Sequence, residues 1–185
     1  MVISLIRFAL VAPVGDAGTE PTPPIGLAYL AAMCKKANVE VIGIDAAGRN
    51  LNKTFKIPKY NLKGNGLEVD EIIKLIDPRT KTIGISSMFS HEWPYVRDSI
   101  NQIKNKFPTA KIVVGGEHVT AIPEYCLRDC NSIDYISLGE GEETWSEIVK
   151  KNDNNFDEIA GLAYLKNNNF IQSEPRKRIK HIDEI

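Results

Sequence analysis

The chain has 185 residues, 43% of them hydrophobic and 25% charged, with a net charge of −1. That balance describes a soluble globular domain with one sizeable core and excludes a disordered chain. The near-zero charge leaves no basic field to attract nucleic acid or an anionic membrane, and no apolar run approaches the roughly 20 residues of a membrane span.

The first residues are apolar, but Arg7 interrupts them and no basic segment precedes them. They read as a buried strand over 4–11 rather than a signal peptide. A Gly/Pro/Thr loop over 13–24 follows. A helix over 25–37 then begins behind Pro23 and Pro24, where a helix tolerates proline. A second strand is expected at 39–45. Residues 46–66 are polar and too long for a simple connection, so they read as an irregular excursion. A helix over 67–76 is closed by Asp77-Pro78.

The third strand falls at 82–86 and the third helix at 93–107. A fourth strand at 111–114 runs into Gly115-Gly116, and a short helix covers 122–129. The fifth strand is at 135–138 and the fifth helix at 142–151. The tail changes character: 159–165, the Asn167-Asn168-Asn169 turn and 170–172 read as a β-hairpin. Five β-then-α units in order imply an α/β fold, a doubly wound three-layer sandwich on a five-stranded parallel sheet in the flavodoxin-like order 2-1-3-4-5. Residues 1–157 form the Rossmann-like unit, and 158–185 form a hairpin and linker.

In such a sheet, ligands bind beyond the carboxyl ends of the strands. The loops there are rich in glycine, serine and proline. Gly115 and Gly116 remove two Cβ atoms where a planar ligand or phosphate could approach. Gly139, Glu140 and Gly141 do the same after the last strand and add a carboxylate. Ser86 and Ser87 offer hydroxyls beside the apolar Met88 and Phe89. Each feature has a plainer reading. The glycines can be tight turns, Met88 and Phe89 core, and His91 or His118 hydrogen-bonded histidines. Glu142 and Glu143 read as first-turn acids that complement a helix dipole.

The first loop lacks GxGxxG, and the chain has no GxxxxGK[ST], so neither a dinucleotide nor a P-loop site is indicated. No catalytic triad can be argued from spacing. Cys126 and Cys130 share a helix face, yet without nearby ligands they read, like Cys34, as reduced thiols in a reducing cytosol.

Taken together, the loops resemble a family. Thr22-Pro23-Pro24-Ile25-Gly26-Leu27-Ala28-Tyr29-Leu30-Ala31-Ala32 resembles the PPxGLxYLAA signature of the N-terminal cobalamin-binding domain of cobalamin-dependent radical-SAM enzymes. Gly84-Ile85-Ser86-Ser87-Met88 is similar to that family's serine loop. Val113-Val114-Gly115-Gly116-Glu117-His118-Val119-Thr120, with Pro123-Glu124, is similar to its GGxHxT…PE stretch, and Gly139-Glu140-Gly141-Glu142 to its GEGE loop.

The resemblance implies a cobalamin whose nucleotide tail is pushed into the sandwich. The implied contacts are Pro24, Ile25, Gly26, Ser86, Ser87, Met88, Phe89, Gly115, Gly116, His118, Gly139, Glu140 and Gly141. In the broader cobalamin-binding fold a DxHxxG loop gives cobalt a histidine. Here Pro23 stands at that place, which implies base-off cobalamin, with cobalt carried by the corrin and no metal ligand from protein side chains. The resemblance also implies a radical-SAM barrel in cis, with a [4Fe–4S] cluster and S-adenosylmethionine, in a methyltransferase or related enzyme. The cluster's CxxxCxxC motif does not occur in these 185 residues, so no catalytic residue and no turnover are expected of them alone. Two other readings stand beside this one. One is a degenerate α/β scaffold that has lost cobalamin, with 46–66 filling the pocket. The other is a flavin mononucleotide binder, disfavoured by the lack of a Ser/Thr-rich phosphate loop.

Overall fold

A computed structural model describes residues 2–16, 20–151 and 155–177. The anticipated linker at 181–185 lies outside the described residues. Five parallel strands form the centre: β1 (Val2–Arg7), β3 (Glu40–Asp45), β6 (Thr80–Ser86), β7 (Lys111–Gly115) and β8 (Tyr135–Ser137). They lie side by side as β3-β1-β6-β7-β8, which is the doubly wound order 2-1-3-4-5. The hairpin β9 (Leu162–Lys166) and β10 (Asn169–Gln172) pairs antiparallel along the β8 edge, so one seven-stranded sheet results.

Helices cover both faces. On one side, α1 (Ile25–Lys36) and α7 (Glu142–Ile148) bring Met33, Cys34, Trp145 and Ile148 onto Ile3, Leu5, Val113 and Tyr135. On the other, α3 (Val69–Leu75), α4 (Trp93–Lys106) and α6 (Pro123–Asp129) bury Ile72, Val96, Ile100, Ile103 and Leu127 against Ile6, Ile44, Ile83, Ile85, Ile112, Val114 and Ile136. Alternate residues of each strand serve opposite layers, as the pleat requires. A reciprocal capping box of Glu68 and Glu71 starts α3, which satisfies two otherwise orphaned backbone donors.

Three expectations need correction. The strand expected at 4–11 is two strands. β1 stops at Arg7, Phe8 and Ala9 turn inward, and β2 (Leu10–Pro13) leaves the main sheet. Apolar residues resume directly after Arg7 with no glycine or proline between, so the run carries no turn signal where it bends.

The excursion at 46–66 is also ordered. It holds α2 (Ala46–Arg49), β4 (Thr54–Ile57), a 3₁₀ turn over Pro58–Tyr60 and β5 (Leu62–Asn65). β2, β5 and β4 make a second, three-stranded antiparallel sheet. Its polar alternate residues face out, while Phe55, Ile57 and Leu62 join the core. Finally, α5 (Glu117–Ala121) fills a stretch read as loop. No helix among the described residues is long and apolar enough to cross a membrane.

Candidate functional site

At the carboxyl ends of the strands, the face under α1 and α7 is built from small residues. Leu5 and Val113 are the last bulky side chains on it, and Gly84, Ser86, Gly115 and Ser137 follow at alternate positions. The small row leaves a slot of about 230 Å³ between sheet and helices. Gly26, Leu27 and Leu30 of α1 wall one side, and Gly141, Glu142 and Trp145 the other. The inner end is closed. A Cβ on Gly84 would come within 2.6 Å of the Trp145 ring and 2.7 Å of Leu5. The indole itself is fixed by donating its N–H to Cys34 Sγ at 3.2 Å.

Next to the slot lies a bowl of about 300 Å³, with which it shares Gly26, Leu27, Ser86 and Met88 as lining. Pro23, Pro24 and Ile25 form one rim of the bowl and Met88 with Phe89 another. Ile25 is 63% exposed, Met88 44% and Phe89 50%, an apolar concentration uncommon on a surface without a ligand or partner. Arg7, at the end of β1, anchors the first loop. It donates to Asp45 Oδ1 at 2.8 Å and to the Thr22 carbonyl.

Glu92 faces the bowl from beside α4 and accepts the Val11 amide at 3.3 Å. Burial pushes its carboxyl above the usual range, against the lowering effect of that bond. His91 is engaged with the Val11 carbonyl at 3.0 Å.

The anticipated site residues divide. Pro24, Ile25, Gly26, Ser86, Met88, Phe89, Gly115, Gly116, Gly139, Glu140 and Gly141 all line the slot or the bowl. Ser87 and His118 line neither. Ser87 is buried behind Gly116, its amide donating to the Gly115 carbonyl at 2.8 Å. His118 is buried on the α4 and α6 side. It pairs with Ser90 Oγ at 2.9 Å, lies 3.6 Å from Cys126 Sγ and packs on Trp93.

The two adjacent glycines also differ. A Cβ on Gly115 would meet nothing closer than 3.7 Å, whereas Gly116 has φ +115° and a Cβ there would fall 2.4 Å from the Ser87 carbonyl. Gly115 keeps the slot open, and Gly116 lets two backbones touch. Sequence reasoning missed Gly84, Ser137, Trp145, Arg7 and Glu92 as site residues. The signal for the first two was present: the alternate residues Gly84 and Ser86 of β6 are both small, and in β8 Tyr135 gives way to Ser137 at the strand end.

Inside the slot two polar atoms stand out. Ser137 Oγ and Glu142 Oε2 are buried and have no hydrogen-bond partner. Buried polar groups are ordinarily satisfied, so such orphans point to a missing ligand group. The cysteines offer nothing comparable. All three are free and buried, and burial pushes Cys126 to about 12 and Cys130 to about 11, so they hold their protons at neutral pH.

A glycine- and serine-floored slot beneath an apolar bowl, at the carboxyl rim of a 2-1-3-4-5 sheet, is joined by a direct match. Residues 13–149 match the B12 binding domain family. The chain belongs to that family.

Three relatives place this B12-binding domain more narrowly. It is 34% identical over 166 residues to an uncharacterized methyltransferase of Pyrococcus horikoshii, covering 88% of this chain and 32% of the relative. It is 31% identical over 159 residues to the cytidylyl-2-hydroxyethylphosphonate methyltransferase of Streptomyces wedmorensis, covering 83% and 29%. A shorter match, 34% over 83 residues, joins it to the anaerobic magnesium-protoporphyrin IX monomethyl ester cyclase of Cereibacter sphaeroides, covering 42% and 14%. The chain thus spans about a third of the length of the first two relatives.

The residues present fit a cobalamin. The slot leaves about 230 Å³ floored by glycine and serine, it holds a buried hydroxyl and a buried carboxylate oxygen without partners, and the bowl offers apolar surface to a flat macrocycle.

Proposed function

We propose that this domain holds cobalamin with its corrin over the bowl and its nucleotide arm in the slot, as the cofactor-carrying part of a longer radical-SAM enzyme, a methyltransferase or a relative. The observation that carries the reading is that slot and bowl adjoin, sharing Gly26, Leu27, Ser86 and Met88. When bound, cobalamin supplies methyl-transfer or radical chemistry at cobalt; the protein supplies position and surroundings.

Each element has a part. Arg7 and Asp45 hold the Pro23-Pro24 loop at a set height. Ile25, Met88 and Phe89 exclude water from the corrin face, and Gly115 leaves the arm its passage. The cofactor sits base-off in this reading, with no histidine from the first loop. Support comes from Pro23 at the place of the family's histidine and from the engagement of His91 and His118 elsewhere. Residues 46–66 line neither cavity, which counts against the degenerate scaffold whose excursion fills the pocket.

The wider setting is part of the same proposal. Residues 1–157 form the cobalamin unit and 158–185 lead toward a barrel in cis that binds a [4Fe–4S] cluster and S-adenosylmethionine, in the cytoplasm. The length of the relatives and the unpaired cysteines support this. Arg176 secures the departing segment by bonding Glu147 at 2.6 Å and the Ala160 carbonyl at 3.2 Å.

The test is direct: mix the domain with hydroxocobalamin, desalt, and record the visible spectrum. Stoichiometric corrinoid is expected to remain with protein, and its cob(II)alamin form should give an electron paramagnetic resonance spectrum without axial nitrogen splitting. A folded sample that retains no corrinoid would refute the proposal.

A further inference from the structure

Of the side chains that line the bowl, two are ionisable, Arg7 and Glu92. Arg7 is committed. Its guanidinium pairs with Asp45 at 2.7 Å and donates to the Thr22 carbonyl, so its charge is already balanced at the rim. Glu92 is not balanced in this way. It ends the short turn before α4, and among the described residues its carboxyl makes one hydrogen bond, from the Val11 amide to Oε1 at 3.3 Å. Oε2 is left to whatever fills the bowl, whose walls include Phe8, Leu10, Ile25, Met88, Phe89 and Val96.

While the bowl is open, water can solvate that oxygen. A ligand lying across Met88 and Phe89 removes the water. A carboxylate would then lose its solvation with no uncommitted cation to replace it. A neutral carboxylic acid loses far less and gains an O–H donor. The other groups about Glu92 do not change this balance. His91 spends Nε2 on the Val11 carbonyl at 3.0 Å and lies against Phe89. Burial holds the Tyr95 phenol well above its ordinary range, so it stays protonated. Burial already acts on Glu92 in the same direction, raising its carboxyl against the lowering effects of the Val11 bond and of the His91 and Arg7 charges.

We propose that Glu92 couples corrinoid binding to the uptake of a proton, entering the complex as a neutral carboxylic acid that donates a hydrogen bond to the ligand. The proton comes from solvent and resides on Oε2, and a corrin's peripheral amide carbonyls are acceptors of the right kind. The inference rests on the cobalamin reading above and adds to it a dependence of affinity on pH.

Methylcobalamin kept in the dark is the probe, because its own groups do not change protonation in the free cofactor between about pH 7 and pH 8.5. Calorimetric titration at about pH 8 in two buffers of different ionisation enthalpy counts the protons. At least about half a proton per corrinoid should be taken up, and affinity should fall by up to about tenfold per pH unit as pH rises. Glu92→Gln keeps the shape and a donor without the charge. It should bind with no uptake, with an affinity that does not vary with pH, and more tightly than the wild type at the alkaline end. His91→Gln should leave the uptake in place.

Corrinoid binding without proton uptake would overturn the inference while the cobalamin reading stands. So would uptake that persists in Glu92→Gln, uptake that is lost in His91→Gln, or an affinity that rises with pH, the mark of a carboxylate accepting from the ligand. Failure to bind at any pH would overturn both. Should Glu92→Gln fail to fold, the wild-type proton count and His91→Gln decide the matter by themselves.

Discussion

The two faces of the parallel sheet are made from the same strands and end differently. Toward α3, α4 and α6, Ile83, Ile85, Val114 and Ile136 carry a bulky core up to the carboxyl rim. Toward α1 and α7, one residue along in each strand, Gly84, Ser86, Gly115 and Ser137 leave a slot. A strand's alternation lets one face be optimised for packing while the other is cleared for a ligand. Stability and binding should therefore separate by residue parity.

The largest expected effect is on the cleared face. Gly115→Leu puts a branched side chain into the slot, and corrinoid affinity should fall by more than about 100-fold, near 2.8 kcal/mol. The melting temperature should move little, because a Cβ there meets only ordinary contacts. Spectroscopic titration beside a thermal melt checks both; lost stability with retained binding would break the comparison.

On the packed face the opposite pattern is expected. Ile136→Ala should cost ~2–5 kcal/mol of stability through the cavity it leaves, read by urea denaturation. Cobalamin affinity measured well below the melting temperature should change less than about threefold, within the range of surface effects.

The glycine pair sharpens the same contrast. Gly116→Ala should cost ~1–3 kcal/mol, since its φ of +115° and the Ser87 carbonyl both oppose a side chain. Gly115→Ala should cost under about 0.5 kcal/mol.

The smallest expected effect is a pH dependence on the packed side. Burial holds the His118 imidazole below its ordinary value. The unfolded chain therefore takes up the proton first as pH falls below about 6.5. The contribution of His118 to stability is present above that pH and declines through the window down to the lowered folded value. Melting temperature should fall between pH 7.5 and 5.5, and His118→Gln should remove part of that fall. An unchanged slope in the variant would assign the dependence elsewhere.

Much of this was legible in the chain. The five β-then-α units and their loops follow from runs such as Lys111–Gly115 and from breakers such as Asp77-Pro78, because local pattern and turn chemistry report on neighbours along the chain. Glycine at 115 and 139 and proline at 24 marked the rim because each alters what backbone can do locally. The fate of 46–66 was not legible. Its strands are four residues long and mostly polar, and β5 takes its place by pairing with β2, about fifty residues earlier. The placement of His118 was not legible for a related reason: the motif around it is contiguous, yet a helical turn starting at Glu117 sets its side chain against Trp93 and Ser90.

By itself, the amino-acid order determined the class of fold, the succession of strands, the loops at the binding rim and the family resemblance. These depend on periodicity, turn residues and short motifs. Only the tertiary structure decided that Ser137, Glu142, Gly84 and Trp145 meet in one slot, that Gly115 and Gly116 have different tasks, and that His118 belongs to the core. Those outcomes depend on which side chains from distant segments share a face and how much space they leave, and volume between packed layers is not a property of any one segment.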